Sequence, residues 1–234
     1  MGNVIEFRNI TKYFPGVKAL DDISFTANGG EVLALMGENG AGKSTLLKVL
    51  NGDYQQTSGE YLVNGEPCHF NSPREAVAAG IGVIYQERQI MLELTVGENI
   101  FLGRLPTGFM GRIKMREVHS RAQAIIDEFG LDMKSTDKVK DLSVAYQQMV
   151  EIMKAYSREN LKMIAFDEPT ASLSDSEIDS LFRIIRKLKA EGKVIIYVSH
   201  RMAEIRQIAD RVAIFKDGRF VGDYYQEVPT VLFT

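Results

Sequence analysis

The sequence predicts an α/β fold with a mainly parallel sheet at its core. Short apolar runs alternate with helical patterns, a glycine-rich loop joins one such run to a helix, and 234 residues, 45 % of them hydrophobic, suffice for a full core. The runs are Val32–Met36, Ile81–Tyr85, Met163–Asp167 and Val194–Ser199. Strands that are apolar along their whole length are typical of a sheet covered on both faces.

Helical periodicity follows in three segments, where apolar residues recur every three or four positions. The three stripes run from Val118 to Phe129, from Met149 to Tyr156 and from Ile178 to Leu188. Two sequences predict helix starts with a capping box, namely Ser72-Pro73-Arg74-Glu75 and Ser174-Asp175-Ser176-Glu177.

The order of these elements predicts a single domain with an insertion. Both ends of the chain alternate strands and helices, whereas the middle is mainly helical. We therefore expect a core lobe from residues 1–86 and 161–225 and an inserted helical lobe from residues 87–160. Residues 226–234 form a tail with no predicted role.

Composition excludes several classes of protein. A net charge of -3 gives no footprint for nucleic acid, so no such partner is expected. Cys68 is the only cysteine, which excludes an internal disulfide and a cysteine cluster for zinc. No apolar stretch approaches the ~20 residues needed to span a bilayer. We expect a soluble or peripheral protein in a reducing, cytosolic compartment.

A phosphate-binding loop follows the first apolar strand. The segment Gly37-Glu38-Asn39-Gly40-Ala41-Gly42-Lys43-Ser44-Thr45 has the spacing G-x-x-x-x-G-K-S and leads into a predicted helix, Thr45–Asn51. Its glycines let backbone N–H groups turn toward an anion, which the helix N-terminus also attracts. Lys43 is expected to reach the β- and γ-phosphates, and the Ser44 hydroxyl to bind Mg²⁺. The alternative is an ordinary glycine-rich turn, which the strand, the Lys-Ser pair and the helix together disfavour.

Polar residues end two of the predicted strands. Asp167 and Glu168 follow the apolar residues Met163–Phe166. His200 follows the next apolar run, Val194–Ser199. Ligands lie at the carboxyl ends of parallel strands, so Asp167 is expected to meet Mg²⁺ through water. Glu168 is placed to orient or deprotonate an attacking water. The alternatives are a solvated acidic turn and, for His200 taken alone, a structural histidine.

This order of motifs resembles the ATP-binding subunits of ABC transporters, from Val4 to about Asp223. Gly37–Thr45 resembles the Walker A motif and Ile164–Pro169 the Walker B motif, which makes Glu168 the catalytic glutamate. The resemblance implies the P-loop ATPase fold with an N-terminal antiparallel β region, and ATP with Mg²⁺ as ligands. It also implies a Q-loop role for Gln86 at the metal and water, and a switch-histidine role for His200.

Three further segments match the family by position. Ser172–Asp175 falls in the D-loop, and Phe14, or failing that Tyr13, lies where the family stacks the adenine. The signature segment departs from the family pattern L-S-G-G-Q. Ser143 is kept at a helix start, whereas Val144 and Ala145 replace both glycines. In the family this segment binds the γ-phosphate of the partner domain, so these side chains are expected to limit its approach.

Longer sequence segments resemble those of one group of importers. The segments FPGVKALDDISF, LTVGENIFLGR and LSVAYQQMVEI look like the N-terminal half of monosaccharide importer ATPases, in which two such domains are fused. The resemblance implies sugar import at the cytoplasmic face of the inner membrane. Its partners there are a second nucleotide-binding domain, membrane-spanning permease subunits and, indirectly, a periplasmic sugar receptor. We expect the chain to be the first half of such a protein.

Two other functions stay open at this stage. One is an ABC ATPase of translation or DNA repair; the other is a nucleotide-dependent dimerisation module with little activity alone. A basic stretch is either a solvated face or a docking surface for a membrane partner or lipid. It comprises Arg104, Arg112, Lys114, Arg116 and Arg121.

Overall fold

The computed structural model describes residues 2–87 and 89–225. They form two compact units, the first from residues 2–83, 160–169 and 185–225 and the second from residues 84–87, 89–159 and 170–184. The predicted tail, residues 226–234, lies outside the described residues. The division into a core lobe and a helical lobe stays a prediction. Residues 170–184, which we expected in the core lobe, belong to the second compact unit.

A six-stranded sheet crosses the first unit. The strands of the chain are β1 (Val4–Phe14), β2 (Val17–Asn28), β3 (Val32–Met36), β4 (Ser58–Val63), β5 (Glu66–Cys68), β6 (Ile81–Ile84), β7 (Met163–Asp167), β8 (Val194–Val198), β9 (Arg211–Lys216) and β10 (Arg219–Tyr225). The order is β10-β9-β3-β8-β7-β6, with β3 parallel to β8 and β9, and β7 parallel to β8. Every residue of β3, β7 and β8 is buried, which confirms the predicted parallel core.

A second, antiparallel sheet has the order β2-β1-β4-β5 and confirms the predicted N-terminal β region. Its inner face joins the same hydrophobic core as β3 and β8. Phe7 and Phe25 stack there with ring centroids 4.5 Å apart, and Phe215 of β9 meets Phe25 edge-on at 6.0 Å. The core therefore lies between the two sheets and holds the carboxyl ends of β3, β7 and β8 in fixed positions.

The helices agree with the predicted stripes but differ at their starts. They are α1 (Lys43–Leu50), α2 (Pro73–Ala79), α3 (Val96–Ile100), α4 (Met115–Glu128), α5 (Val144–Tyr156), α6 (Asp175–Ala190) and α7 (Met202–Ile208). The first begins two residues before the predicted Thr45, because Gly42 caps it with φ 100°.

The capping box predicted at α2 is wrong in its bonds. Among the residues that the structure describes, Ser72 offers its helix no side-chain hydrogen bond. The Glu75 carboxylate reaches past Ser72 and accepts from the amide of Asn71 at 2.9 Å. The sequence therefore located this helix start without giving the bonds that stabilise it.

The second unit is mainly helical. Val118, Ala122 and Ile126 of α4 are fully buried, as the periodicity predicts. A capping box begins α3, where the Thr95 hydroxyl and the Glu98 carboxylate bond each other's amides. None of the described helices has the length and apolar character that crossing a bilayer requires.

Candidate functional site

The glycine-rich loop turns directly out of β3 and into α1. A Cβ at Gly37 would lie 2.2 Å from the Phe215 carbonyl oxygen, and a Cβ at Gly42 would lie 2.6 Å from the Ala19 carbonyl oxygen. Both distances are impossible for a real side chain, so the tight path of the loop requires glycine at both positions. The middle of the loop, Glu38–Gly40, is exposed to solvent.

Lys43 lies inside this loop rather than in solvent. Its ammonium donates to the carbonyl oxygens of Gly37 at 2.7 Å and Glu38 at 2.9 Å, and the residue is only 6 % exposed. Burial lowers the pKa of Lys43, while the charges of Glu168 and Asp167 act in the opposite direction. The ammonium is thus paired within the chain, and it would have to leave the two carbonyl groups to meet a bound anion.

Asp167 ends β7 beside the start of α1. Its carboxylate accepts from the Ser44 hydroxyl at 3.2 Å. Burial raises the pKa of Asp167, the bond from Ser44 lowers it, and the neighbouring charge of Glu168 raises it further. A carboxylate and a hydroxyl are the hard oxygen ligands that Mg²⁺ prefers. Among the described residues, no group of three or more acidic, histidine or cysteine side chains could hold a metal ion.

Glu168 holds an unusual backbone conformation at the next position. Its φ of 50° is left-handed, which is uncommon for a residue with a side chain and often marks functional sites. Its amide donates to the Val198 carbonyl at 3.0 Å, so β8 supports the strained turn. His200 Nδ1 lies 3.1 Å from the Glu168 carboxylate, which brings the two predicted residues together.

A buried network positions the end of β8 before His200, and sequence reasoning missed it. Glu204 accepts from the Tyr197 hydroxyl at 2.9 Å and from the Ser199 hydroxyl at 3.0 Å. The Ser199 oxygen in turn accepts from the amide of Arg201 at 3.0 Å. Nothing in the sequence indicates that an acidic side chain at the third position of a helix points into the protein. Only the folded structure shows that Glu204 supports the end of β8.

The two aromatic candidates for an adenine site lie in different surroundings. Neighbouring residues of a strand point to opposite faces, so Tyr13 and Phe14 cannot serve one ligand face together. Phe14 meets Tyr54 edge-on at 5.3 Å, and Tyr54 follows the end of α1. Tyr13 is 47 % exposed, with the Lys18 ammonium 5.3 Å from its ring centre.

The signature segment forms the start of α5 in the second unit. The Ser143 oxygen caps the helix by accepting from the Tyr146 amide at 3.3 Å, and its hydroxyl donates to Glu177 at 3.2 Å. Of the two residues that replace glycines, Ala145 is buried at 1 % exposure, whereas Val144 is 41 % exposed. The expectation that both side chains obstruct the surface is therefore wrong for Ala145, because its methyl group packs inward.

Gln86 and Glu177 lie in the second unit. Gln86 lines a cavity of about 400 Å³ together with Glu87, Ile90, Leu92 and Gln147. Glu177 was not predicted as a site residue, although the sequence did predict it as a helix cap. The Ser174 amide and hydroxyl hold its carboxylate at 2.9 and 2.8 Å. These bonds, the one from the amide first, lower the pKa of Glu177, which keeps a negative charge beside Ser143.

Comparison with known proteins identifies the class. Residues 20–171 match the protein family described as ABC transporter, which is more than half of the chain. The chain belongs to this family.

Named relatives narrow the comparison. The chain is 52 % identical over 217 residues to the arabinose import ATP-binding protein AraG of Yersinia pestis, covering 93 % of the chain and 41 % of that protein. It is 53 % identical over 218 residues to the Escherichia coli protein of the same name, covering 93 % and 43 %. The chain thus spans less than half the length of the curated relatives it matches.

Solved structures agree with the fold. A nucleotide-free ATP-binding cassette from an ABC transporter superposes with a TM-score of 0.82 at 26 % identity, covering 95 % of this chain and 91 % of that one. A cassette in its ADP conformation gives the same TM-score and identity over 96 % and 92 %. The predicted ABC ATPase fold is confirmed.

Proposed function

We propose that this chain binds MgATP at its glycine-rich loop, hydrolyses it when paired with a second nucleotide-binding domain, and so powers import of a monosaccharide. The observation that carries the proposal is the convergence at the carboxyl ends of β3, β7 and β8. Five candidate residues lie there and interact with one another through hydrogen bonds or charge. They are Lys43, Ser44, Asp167, Glu168 and His200.

Each part of the nucleotide has a candidate partner. The amides of the loop and of the first turn of α1 suit the phosphates, and Lys43 would leave the loop carbonyls to meet the β- and γ-phosphate oxygens. Besides Lys43, the loop residues are Gly37, Asn39, Gly40, Ala41, Gly42, Ser44 and Thr45. Phe14 is favoured over Tyr13 for the adenine, because it packs on the α1 side of the strand.

Ser44 and Asp167 would hold Mg²⁺, in part through water. The ion would supply charge neutralisation at the phosphates. Glu168 orients the attacking water or accepts its proton, and the left-handed backbone fixes its carboxylate for that task. The contact of 3.1 Å between His200 Nδ1 and the Glu168 carboxylate holds that carboxylate in place. Phosphoryl transfer then depends mainly on position and charge.

The substrate class and partners rest on the relatives. Proteins about half identical to this chain carry the name arabinose import ATP-binding protein, which favours a pentose or a similar monosaccharide. The partners proposed are a second nucleotide-binding domain, permease subunits that span the membrane and, through them, a periplasmic sugar receptor. The chain would then work at the cytoplasmic face of the membrane.

The test is phosphate release from the purified chain with MgATP over a range of protein concentrations, beside Glu168→Gln. We expect activity that rises faster than linearly with protein, as a dimeric site requires, and a loss of at least about 100-fold in the variant. The variant should still bind ATP and accumulate as a closed dimer. Wild-type turnover by a homogeneous Glu168→Gln sample would exclude the catalytic role.

A second function is favoured by the exposed Val144. If that side chain keeps a partner's phosphate away from Ser143, two copies of this chain bind ATP and pair with little hydrolysis. Intact ATP binding without phosphate release would support this dimerisation module. Activity restored by a domain with an unaltered signature would then show that this chain needs a different partner.

A further inference from the structure

A tight hairpin in the second unit presents two apolar side chains to solvent. Thr107 and Ile113 form its bridge, and the Gly108 amide donates to the Arg112 carbonyl at 2.7 Å. At its tip Phe109 is 91 % exposed and Met110 is 85 % exposed. The next most exposed large apolar residue among those described, Tyr225, reaches only 68 %.

Exposed cations follow this tip in the sequence, and acids are missing from the segment around it. From Asn99 to Arg116 the chain has no Asp or Glu, although the whole sequence is net negative. Arg112, Lys114 and Arg116 flank the tip and are all exposed. The first acid, Glu117, lies 3.4 Å from Lys114 and 3.8 Å from Arg121, which leaves Arg112 and Arg116 to other anions.

We propose that this hairpin, residues 106–114, inserts Phe109 and Met110 into the interface of an anionic lipid bilayer, with Arg112 and Arg116 on the phosphate headgroups. An apolar tip followed closely by exposed cations matches the two layers of such a surface, acyl chains below and anionic headgroups above. A protein partner would favour a groove or a flat face, whereas this hairpin is convex and its two large side chains are almost free. The inference does not depend on ATP hydrolysis.

The hairpin is held in shape before it meets a ligand. Lys114 donates its amide to the Pro106 carbonyl at 2.9 Å, and Gly111 donates to Gly108 at 3.2 Å. Met110 takes a left-handed φ of 60° at the turn. Because the backbone is already ordered, little conformational entropy opposes insertion. One apolar pair with a few charges gives weak, reversible binding, which suits an accessory contact.

The first test is co-sedimentation of the purified chain with phosphatidylglycerol vesicles and with phosphatidylcholine vesicles. We expect binding to the anionic vesicles that weakens in high salt, and at least severalfold less binding to the neutral ones. Phe109→Ser with Met110→Ser should lower the partition coefficient about tenfold or more. Arg112→Gln with Arg116→Gln should lower it about fivefold for each charge. The matched control, Val221→Ser with Tyr225→Ser, removes exposed apolar groups elsewhere and should change nothing.

A second test reports insertion directly. The chain contains no tryptophan, so Phe109→Trp places a single tryptophan at the tip, which can be excited selectively beside the nine tyrosines. Its emission should shift to the blue with phosphatidylglycerol vesicles and be quenched by brominated lipid, whereas Val221→Trp should do neither. Wild-type protein that ignores anionic vesicles, or tip variants that bind as the wild type does, would overturn the proposal. Phe109-dependent binding to the solubilised permease without vesicle binding would assign the tip to a protein partner instead.

Discussion

The glycine-rich loop and the signature segment both place a hydroxyl residue at the start of a helix, but they treat its neighbours differently. At the loop, Lys43 and Asp167 are buried and bonded within the chain, at 6 % and 8 % exposure. At the signature, Ser143 is exposed and its hydroxyl faces the ionised Glu177. In the proposed function the loop would serve the chain's own nucleotide, whereas the signature would serve a partner's. The loop keeps the family spacing, while the signature carries the exposed Val144 side chain and lies beside a negative charge.

The largest effect, a loss of ATP affinity, is expected from Lys43→Ala. We expect ATP affinity to fall about 100-fold, since the variant loses the ammonium that lies inside the loop and would meet the phosphates. Isothermal titration with MgATP measures the change. Lys48→Ala is the control, because Lys48 lies on the same helix with its ammonium over the Tyr54 ring. Equal loss in both variants would contradict a specific role for Lys43.

Much of this contrast could be predicted from the sequence, because it depends on runs and fixed spacings. The bounds of β3 and β7 were predicted to the residue, since both strands are apolar throughout and end at a glycine or an acid. Ends set by single hydrogen bonds were less predictable. The strand before Gln86 and the strand before His200 each end one residue earlier than predicted, at Ile84 and Val198.

Contacts between residues distant in sequence could not be predicted. Glu177 reads as a helix cap, and nothing in its own segment indicates a bond to Ser143, 34 positions earlier. The two replaced glycines look equivalent in the sequence, yet helix periodicity buries Ala145 and exposes Val144. Side-chain direction therefore decides which departure from the family pattern has a functional consequence.

Val144→Gly tests whether the exposed side chain limits access to the signature segment. Removing the exposed side chain lets the backbone of α5 approach a partner's phosphate, so ATP hydrolysis at a fixed protein concentration should rise about tenfold. Ala145→Gly is the matched control, because the same change at a buried position opens no surface. It should leave hydrolysis unchanged and lower stability by about 1 kcal/mol. A larger rise in the control would show that backbone freedom, and not access, limits activity.

Glu177→Gln tests the charge beside Ser143. Hydrogen bonds from Ser174 lower the pKa of this carboxyl group, so it is anionic at neutral pH and opposes a partner's phosphate. The variant loses the charge but keeps one oxygen that can accept from the Ser174 amide and hydroxyl, while its NH2 group can donate to the Ser143 oxygen. ATP-dependent self-association, measured by analytical ultracentrifugation, should tighten about threefold to fivefold. Asp179→Asn removes a charge from the same helix and should have no effect; a matching gain there would indicate general charge repulsion.

The smallest effect is expected from Asp167→Asn, which asks what the buried loop site costs without a ligand. Burial raises the pKa of Asp167 above its ordinary 3.8, so ionisation destabilises the fold as the pH rises from 3.8 through the raised value. Asparagine can still accept from Ser44 but carries no charge. The variant should therefore be more stable at neutral pH, with a gain of about 1 kcal/mol raising Tm by about 2–4 °C. This gain should shrink as the pH is lowered and vanish below 3.8, where the aspartate is protonated in both the folded and the unfolded chain. Asp217→Asn in the exposed turn before β10 is the control, and a gain that persists at low pH would show that charge is not its cause. A stabilised variant that no longer responds to MgATP would mean that the chain keeps a buried charge for its ligand at the expense of its own stability.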